Sequence, residues 1–122
     1  MRAVIVFAHG SRDPLWRNPV EAVAATVRAR DPQALSCCAY LELCEPGLPD
    51  AARQMLQAGA TDIRVLPLFF GMGKHAREDL PKLMDDLRRD HPQASFTLLP
   101  TAGENPRLTQ LLADMALETP AP

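Results

Sequence analysis

The 122-residue chain has 47% hydrophobic residues, and 13 basic against 15 acidic side chains give it a formal charge of −2. This length fits one domain with a substantial core, and the charge lacks the basic excess that an electrostatic hold on nucleic acid requires. No apolar run is long enough to span a bilayer, and residues 1–4 lead into a strand rather than a signal peptide. The sequence therefore predicts a cytoplasmic protein with neither a nucleic acid nor a membrane as partner.

Strands and helices alternate along the chain. The predicted strands cover residues 3–8, 34–43, 63–70 and 95–99, and the predicted helices begin near Trp16 or Asn18, at Leu48, near Asp79 and after Asn105. Because right-handed crossovers join such units, we expect one α/β domain with a four-stranded parallel sheet and helices on both faces. This domain covers residues 1–118, and residues 119–122 form a frayed tail.

Two of the helices carry features that bear on later results. Pro81 is tolerated in the first turn of a helix, which places the start of the third helix near Asp79 and makes Asp79 its N-cap. The last helix has apolar residues at helical spacing, which are expected to face inward. These residues are Leu108, Leu111, Leu112 and Met115.

The three cysteines agree with a reducing compartment. Cys37 and Cys38 are adjacent on a predicted strand, so their side chains point to opposite faces and cannot bind a metal together in the usual Cys-x-x-Cys manner. We expect both, and Cys44, to be packed free thiols.

A histidine follows each of two apolar strands. The strand of residues 63–70 is expected to be buried on both faces, and it leads into Gly71 and Gly73, which permit positive φ and close approach of a ligand, and then His75. His9 follows the first strand. Since the carboxyl ends of parallel strands meet at one edge, these imidazoles predict a site for a metal or a proton.

Organic cofactors are disfavoured by the same stretch. Ala76 stands where a dinucleotide-binding fingerprint has its third glycine, and Lys74 is followed by His75 rather than by the hydroxyl residue of a phosphate-binding loop. The sequence therefore predicts no organic cofactor.

Three motifs resemble, in order and spacing, the short form of the class II chelatases, the sirohydrochlorin cobaltochelatase family. They are Phe-Ala-His-Gly-Ser-Arg-Asp-Pro at residues 7–14, Leu-Glu-Leu-Cys-Glu-Pro at 41–46, and Pro-Leu-Phe-Phe-Gly-Met-Gly-Lys-His at 67–75, with Asp79 and Pro81 beyond. The resemblance covers essentially the whole chain. It implies a single chelatase-like lobe that inserts a divalent ion into sirohydrochlorin or a related tetrapyrrole, with cobalt as the first choice and nickel and iron as alternatives.

The resemblance also implies roles for residues. His9 would bind the metal and accept a pyrrole proton, His75 would be the second metal ligand, and Glu45 and the loop 70–75 would contact the tetrapyrrole. The expected substrate-binding residues are Ser11, Arg12, Glu45, Phe70, Gly71, Met72, Gly73, Lys74 and His75. Ser11 has the alternative of capping the next helix, and Arg12 and Lys74 that of being solvated loop charges. Glu104 stands where many relatives have histidine, which bears on metal preference.

Metal insertion suits two imidazoles because two pyrrole protons must leave while the ion is held weakly enough for release. Two alternatives remain open at this point: a metal carrier that uses both histidines without a ring, and a phosphohistidine enzyme in which Arg12 clamps the phosphate of His9. The phosphohistidine reading lacks the further arginines expected of such a site.

A homodimer is expected as well. Longer class II chelatases resemble two such lobes facing each other across a cleft, whereas this chain contains no second His-Gly-Ser-Arg motif. A single lobe would leave one face of the ring in water, so a symmetry copy is expected to supply the second wall.

Overall fold

The computed structural model describes residues 1–119 and contains one four-stranded parallel sheet. The strands are β1 (Arg2–Ala8), β2 (Leu35–Tyr40), β3 (Asp62–Pro67) and β4 (Ser95–Leu98), in the spatial order β2-β1-β3-β4. The predicted parallel α/β architecture is confirmed. Of the predicted tail, residues 120–122 lie outside the described residues.

Helices connect the strands in the expected alternation. They are α1 (Asn18–Arg30), α2 (Leu48–Gln57), α3 (Lys74–Asp90) and α4 (Pro106–Leu117), with short 3-10 helices at Pro14–Arg17 and Ala102–Glu104. A proline in the first two positions starts α1, α2 and α4, where its missing N–H costs nothing. Within residues 1–119, no helix combines the length and the apolar character that crossing a bilayer requires.

The sheet is covered on both faces, as predicted. On one face Ile5 and Val65 pack with Leu80 and Met84 of α3 and with the alanines of α2. On the other face Val6 and Ala8 pack against Val20 and Ala24 of α1. Because successive strand residues point to opposite faces, β1 is buried on both sides and lies at the centre of the core.

The third strand is shorter than predicted, and it is less buried by helices on one of its faces. It ends at Pro67 rather than at residue 70, and its burial alternates: Ile63, Val65 and Pro67 are buried, whereas Leu66 is half-buried. The expectation of a strand buried on both faces is wrong because α1 covers β1 and β2 only. The second face of β3 lies below α4 across a cavity.

The start of α3 also differs from the prediction. The helix begins at Lys74, Gly73 rather than Asp79 is its N-cap, and the N–H of Arg77 donates to the Gly73 carbonyl at 3.0 Å. Pro81 therefore lies inside the helix, where it has no N–H to offer the Arg77 carbonyl. The prediction failed because it considered the proline alone, whereas the backbone bond to Gly73 closes an earlier turn.

This difference can be tested with Pro81→Ala. In a helix that begins at Lys74, the substitution restores a backbone hydrogen bond, and we expect it to raise the free energy of unfolding by about 1–3 kcal/mol. Lys82→Ala, at the next exposed position, should change it by less than about 0.5 kcal/mol. Urea denaturation measures both. An unchanged stability in Pro81→Ala would place the helix start near Asp79, where a proline is harmless.

The last helix does not bury the apolar residues that were expected to face inward. No residue of α4 is fully buried. Leu108 and Leu112 are half-buried, and Leu111 and Met115 are exposed over 53% and 56% of their surfaces. The apolar spacing was recognised correctly, but a cavity lies between α4 and β3, so the sheet does not fully cover this face.

Candidate functional site

His9 and Glu42 meet at the carboxyl edge of the sheet. The second strand was predicted to reach residue 43 but ends at Tyr40, and the chain then turns alongside the end of β1. The Leu41 N–H donates to the Ala8 carbonyl at 2.9 Å, and the Glu42 N–H donates to the His9 carbonyl at 3.0 Å. These bonds bring Glu42 Oε1 to 3.3 Å from His9 Nε2.

Gly10 makes this approach possible. Its φ is +103°, in the left-handed region that favours glycine, and a Cβ atom added to it would lie 1.8 Å from the carbonyl oxygen of Glu42. Only glycine therefore allows the loop after β1 and the turn after β2 to pack this closely. Gly10 thereby holds the Glu42 backbone beside His9.

Both ring nitrogens of His9 face oxygen atoms. Nδ1 lies 3.3 Å from the Gly10 carbonyl oxygen, and Nε2 faces the Glu42 carboxylate. A neutral imidazole has one N–H, so it can donate to only one of these acceptors. A divalent ion between His9 and Glu42 would find a ring lone pair and a carboxylate oxygen, the ligand types that borderline metals accept. The pair can therefore bind a cation or receive a proton.

His75 lies at the same edge, as the second residue of α3, and its side chain is exposed. The segment that leads to it runs beside β1, because the Leu68 N–H donates to the Phe7 carbonyl at 2.7 Å. Within the described part of the chain, no group of three or more His, Cys, Asp or Glu side chains is close enough to hold a metal ion. The structure thus joins His9 to Glu42 and places His75 in the first turn of α3, after the neighbouring loop.

The two phenylalanines after β3 have different surroundings. Phe69 packs edge-on against Phe7, with ring centroids 6.0 Å apart, whereas Phe70 is 74% exposed. Phe69 therefore belongs to the core, and Phe70 offers apolar surface at the edge, next to the half-buried Met72.

The glycines of this loop do not act as predicted. Neither Gly71 nor Gly73 has a positive φ, so the conformational freedom that they permit is not used here. A Cβ atom at either position would meet nothing within 4 Å. Both residues border open space at the edge of the sheet.

A different glycine, Gly103, fixes this loop. Its N–H donates to the Phe69 carbonyl at 2.8 Å, and a Cβ atom on it would lie 1.8 Å from the Phe70 carbonyl oxygen. The 3-10 helix Ala102–Glu104 is thus pressed against the peptide that joins Phe69 and Phe70. Glu104 is exposed beside it.

Gly103→Ala should therefore disturb the loop. The new methyl group must displace the Phe70 backbone, and we expect a loss of about 1–3 kcal/mol in the free energy of unfolding, as for overpacked sites. Gly71→Ala, in the same loop but facing open space, should change stability by less than about 0.5 kcal/mol. Denaturant titration of both variants tests this contrast. Equal stabilities would mean that Gly103 does not hold the loop.

The polar and charged residues Ser11 and Arg12 of the first motif, and Lys74 of the third, are at least partly accessible. The Ser11 hydroxyl accepts from the Asp13 N–H at 3.1 Å, and the Asp13 carboxylate accepts from the Leu15 N–H at 2.9 Å, so both side chains order the turn after β1. Arg12 and Lys74 are exposed, and neither is part of an ion pair within residues 1–119.

Glu45 belongs to a cavity whose lining does not include His9. It lines a cavity of about 300 Å³ beside β2 together with Arg17, Arg28 and Tyr40. The Tyr40 hydroxyl is buried there with no hydrogen-bond partner among the described residues, and burial raises its pKa.

The cysteines are free thiols, as predicted. Burial raises the pKa of Cys37 to about 11, so this thiol stays protonated at neutral pH. A protonated thiol is a poor metal ligand and nucleophile.

Glu42 is the residue that sequence reasoning left out of the predicted site. In the sequence, Glu42 and Glu45 both lie close to residue 43, the predicted end of the second strand, and the resemblance selects Glu45 alone. The available signal was position, because Glu42 is the first carboxylate after the end of β2.

Comparison with known proteins agrees with this architecture. The family model described as CbiX matches residues 3–119. A sirohydrochlorin cobaltochelatase of Methanococcus maripaludis is 33% identical over 84 residues, which are 69% of this chain and 58% of that protein. The chain thus spans less than two thirds of the length of that relative.

Solved structures give the same result for the fold. A cobalamin (vitamin B12) biosynthesis CbiX protein from Marinobacter aquaeolei VT8 has 31% identity and a TM-score of 0.81, over 95% of this chain and 94% of that one. The sirohydrochlorin chelatase SirB from Bacillus subtilis, in complex with cobalt, has 22% identity and a TM-score of 0.78. It is matched over 94% of this chain but only 50% of its own length, and at this identity it supports the fold alone. By the extent of the family match and the shared fold, the chain belongs to the CbiX family.

Proposed function

We propose that the protein is a tetrapyrrole metal chelatase that inserts a divalent ion into sirohydrochlorin or a related ring. The observation that carries this proposal is the His9–Glu42 pair at the carboxyl edge, with Nε2 and Oε1 3.3 Å apart and both side chains about half exposed, at 54% and 55%. The family membership and the cobaltochelatase name of a relative support it. Cobalt is the favoured ion, with nickel and iron as alternatives.

In this proposal the metal is held first by the protein and then by the ring. His9, Glu42 and His75 supply two imidazoles and a carboxylate, which leave further coordination positions open for pyrrole nitrogens. His75 lies in the first turn of α3, where the N-terminus of the helix carries a partial positive charge. This charge repels a cation and so weakens the hold of His75 on the metal. Weak binding favours transfer of the metal to the macrocycle.

Proton removal follows from the same pair. Two pyrrole protons leave for each divalent ion that enters, so the metallated ring carries the same net charge as the free ring. As the metal moves to the ring, the lone pair of His9 Nε2 becomes free to accept a proton. Glu42, in contact with Nε2 and half exposed, can relay this proton to water. The second proton takes the same path.

The ring is proposed to lie over the loop after β3. Exposed Phe70 and half-buried Met72 offer apolar contact to its flat face, and Gly71 and Gly73 leave space for it. Exposed Arg12 and Lys74 are proposed to pair with its peripheral carboxylates. Ser11 and Glu45 complete the proposed binding set, with Glu45 contributing from the cavity beside β2.

The working unit is proposed to be a cytoplasmic homodimer. The free cysteines fit a reducing compartment. A second copy would cover the exposed face of the ring, because a single lobe leaves the His9 side open to water.

Incubation of the purified protein with Co²⁺ and sirohydrochlorin tests the proposal. We expect the visible spectrum to change to that of the metallated ring faster than in a protein-free control. Binding of Co²⁺ without faster metallation would support a carrier. Incorporation of phosphate at His9 with no metallation would support a phosphohistidine enzyme.

A further inference from the structure

Leu43 has a backbone conformation that leucine rarely adopts. Its φ is +69°, in the left-handed region, and among residues 1–119 no other residue except glycine has a positive φ. In this region the side chain crowds the following carbonyl oxygen, so glycine and asparagine are the usual occupants. A bulky residue that is held there marks a place where the surrounding structure, and often a function, outweighs the local cost.

The contacts of the turn fix this conformation. The Tyr40 N–H donates to the Pro46 carbonyl at 2.9 Å and closes the turn. The Glu42 N–H donates to the His9 carbonyl at 3.0 Å. Leu43 lies between these two bonds, so a change of its φ would move Glu42. The strain therefore belongs to the turn that brings the Glu42 carboxylate to His9.

The side chain of Leu43 is also exposed, over 48% of its surface. Glycine or asparagine at such a position would tolerate the conformation and would place no apolar group in water. Leucine combines backbone strain with apolar exposure, and neither feature stabilises the folded chain. A ligand with an apolar face would cover this side chain, which gives a reason for leucine at this place.

Other exposed apolar side chains lie near Leu43 at the carboxyl edge. Leu41 directly follows β2. The ring of Trp16 lies 6.2 Å from the ring of Tyr40, the last residue of that strand, and Trp16 is partly exposed as well. Single exposed apolar residues are ordinary on a protein surface, whereas a group of them beside a polar pair is typical of a ligand site.

The order of the strands places Leu43 and Phe70 on opposite sides of His9. The strand β1 lies between β2 and β3, and His9 directly follows β1. Neighbouring strands are about 4.8 Å apart, so roughly 10 Å separates the ends of β2 and β3. A flat ring of four pyrroles can reach both sides with its central nitrogens near His9.

We propose that Leu43 is a substrate-contacting residue that holds the apolar face of the tetrapyrrole beside the His9–Glu42 pair. The proposal rests on the chelatase function proposed above and adds a residue to it. The leucine side chain has no atom that binds a metal, so Leu43 acts on the position of the ring. Its contact also removes water from the space in which the metal leaves His9.

Three substitutions of Leu43 separate the effect of the side chain from that of the backbone. Leu43→Ala and Leu43→Gly remove the apolar contact, whereas Leu43→Met keeps an apolar group of similar size. In absorbance titrations with metal-free sirohydrochlorin, the first two should raise the Kd about tenfold, and Leu43→Met should stay within about threefold of the wild type. Calorimetry should show a Co²⁺ affinity within about twofold of the wild type in all three variants.

Thermal unfolding provides a readout of the backbone conformation. Glycine adopts a positive φ freely, so Leu43→Gly should unfold about 2–5 °C above Leu43→Ala, the reverse of their order in a helix. The affinity for the ring should not follow this order, because both variants lack the side chain. A glycine variant that binds the ring as tightly as the wild type would overturn the proposal, since the backbone alone would then suffice.

Leu117→Ala is the matched control. Leu117 is the last residue of α4 and is 84% exposed, and its loss should change the affinity for the ring by less than about twofold. Equal losses at residues 43 and 117 would overturn the proposal, because the ring would then bind apolar surface without a defined site. A wild type that binds no sirohydrochlorin would remove the proposed function and this inference with it. A wild type that metallates the ring, with an unchanged Kd in Leu43→Ala, would remove this inference alone.

Discussion

His9→Ala is expected to lower the rate of metal insertion by about 10²–10⁴-fold, the usual contribution of a positioned acid-base group. The variant loses the proposed proton acceptor and one of the proposed metal ligands together. Its imidazole is half exposed, and its polar partners among residues 1–119 are the Gly10 carbonyl and the Glu42 carboxylate, so its removal should leave the fold intact. Initial rates of Co²⁺ insertion, followed by visible absorbance, measure the loss.

His91→Ala provides the matched control for this prediction. His91 caps the C-terminus of α3, and its ring lies 6.2 Å from that of Phe96, at the opposite end of the sheet from His9. We expect the rate of Co²⁺ insertion by the His91→Ala variant to stay within about twofold of that of the wild type, as for a surface substitution away from the site. Comparable losses in both variants would remove the basis for assigning the chemistry to His9.

Glu42→Gln should have the second largest effect. Glutamine keeps the size of the side chain and can still hydrogen-bond His9, but it removes the negative charge that would bind the cation and relay the proton. Replacement of a group that orients a ligand histidine commonly costs 10–100-fold in metal affinity or activity, and we expect a loss in that range. Co²⁺ titration calorimetry and the insertion assay measure the two quantities.

Glu45→Gln is the natural comparison because it makes the same change three residues away. Glu45 lines a cavity with Arg17 and Tyr40 and not the space beside His9, so its effect should be at least about tenfold smaller than that of Glu42→Gln. A larger effect at Glu45 would show that the charge used in catalysis lies in that cavity.

The alternation of strands and helices could be predicted because it depends on local patterns. Apolar runs and their spacing located β1, α1 and α2 to within a few residues. The paired histidines followed from one topological rule, that the carboxyl ends of parallel strands share an edge. No long-range information was needed for either.

The pairing of Glu42 with His9 depends on contacts between distant segments. It requires β2 to end at Tyr40, and that end is fixed by hydrogen bonds from Leu41 and Glu42 to the end of β1. The close approach at Gly10 is likewise invisible in the local sequence, because the group that a Cβ would strike is the Glu42 carbonyl. Sequence spacing could place both carboxylates at the edge but could not choose between them.

The exposed face of α4 was missed for a similar reason. Amphipathic spacing shows that a helix has an apolar face, but not which surface covers it. For α3 the buried partner lies in the same chain, as Leu80 and Met84 show. For α4 the described residues leave Leu111 and Met115 uncovered.

The position of the bound metal tests the account most directly. Crystals of the wild type grown with Co²⁺ can be measured at the cobalt absorption edge, where anomalous scattering locates the ion independently of the protein. We expect one peak about 2.0–2.2 Å from His9 Nε2 and from a Glu42 oxygen, with His75 turned toward it. A peak at the Cys37 thiol or in the cavity beside Glu45, with none at His9, would contradict it.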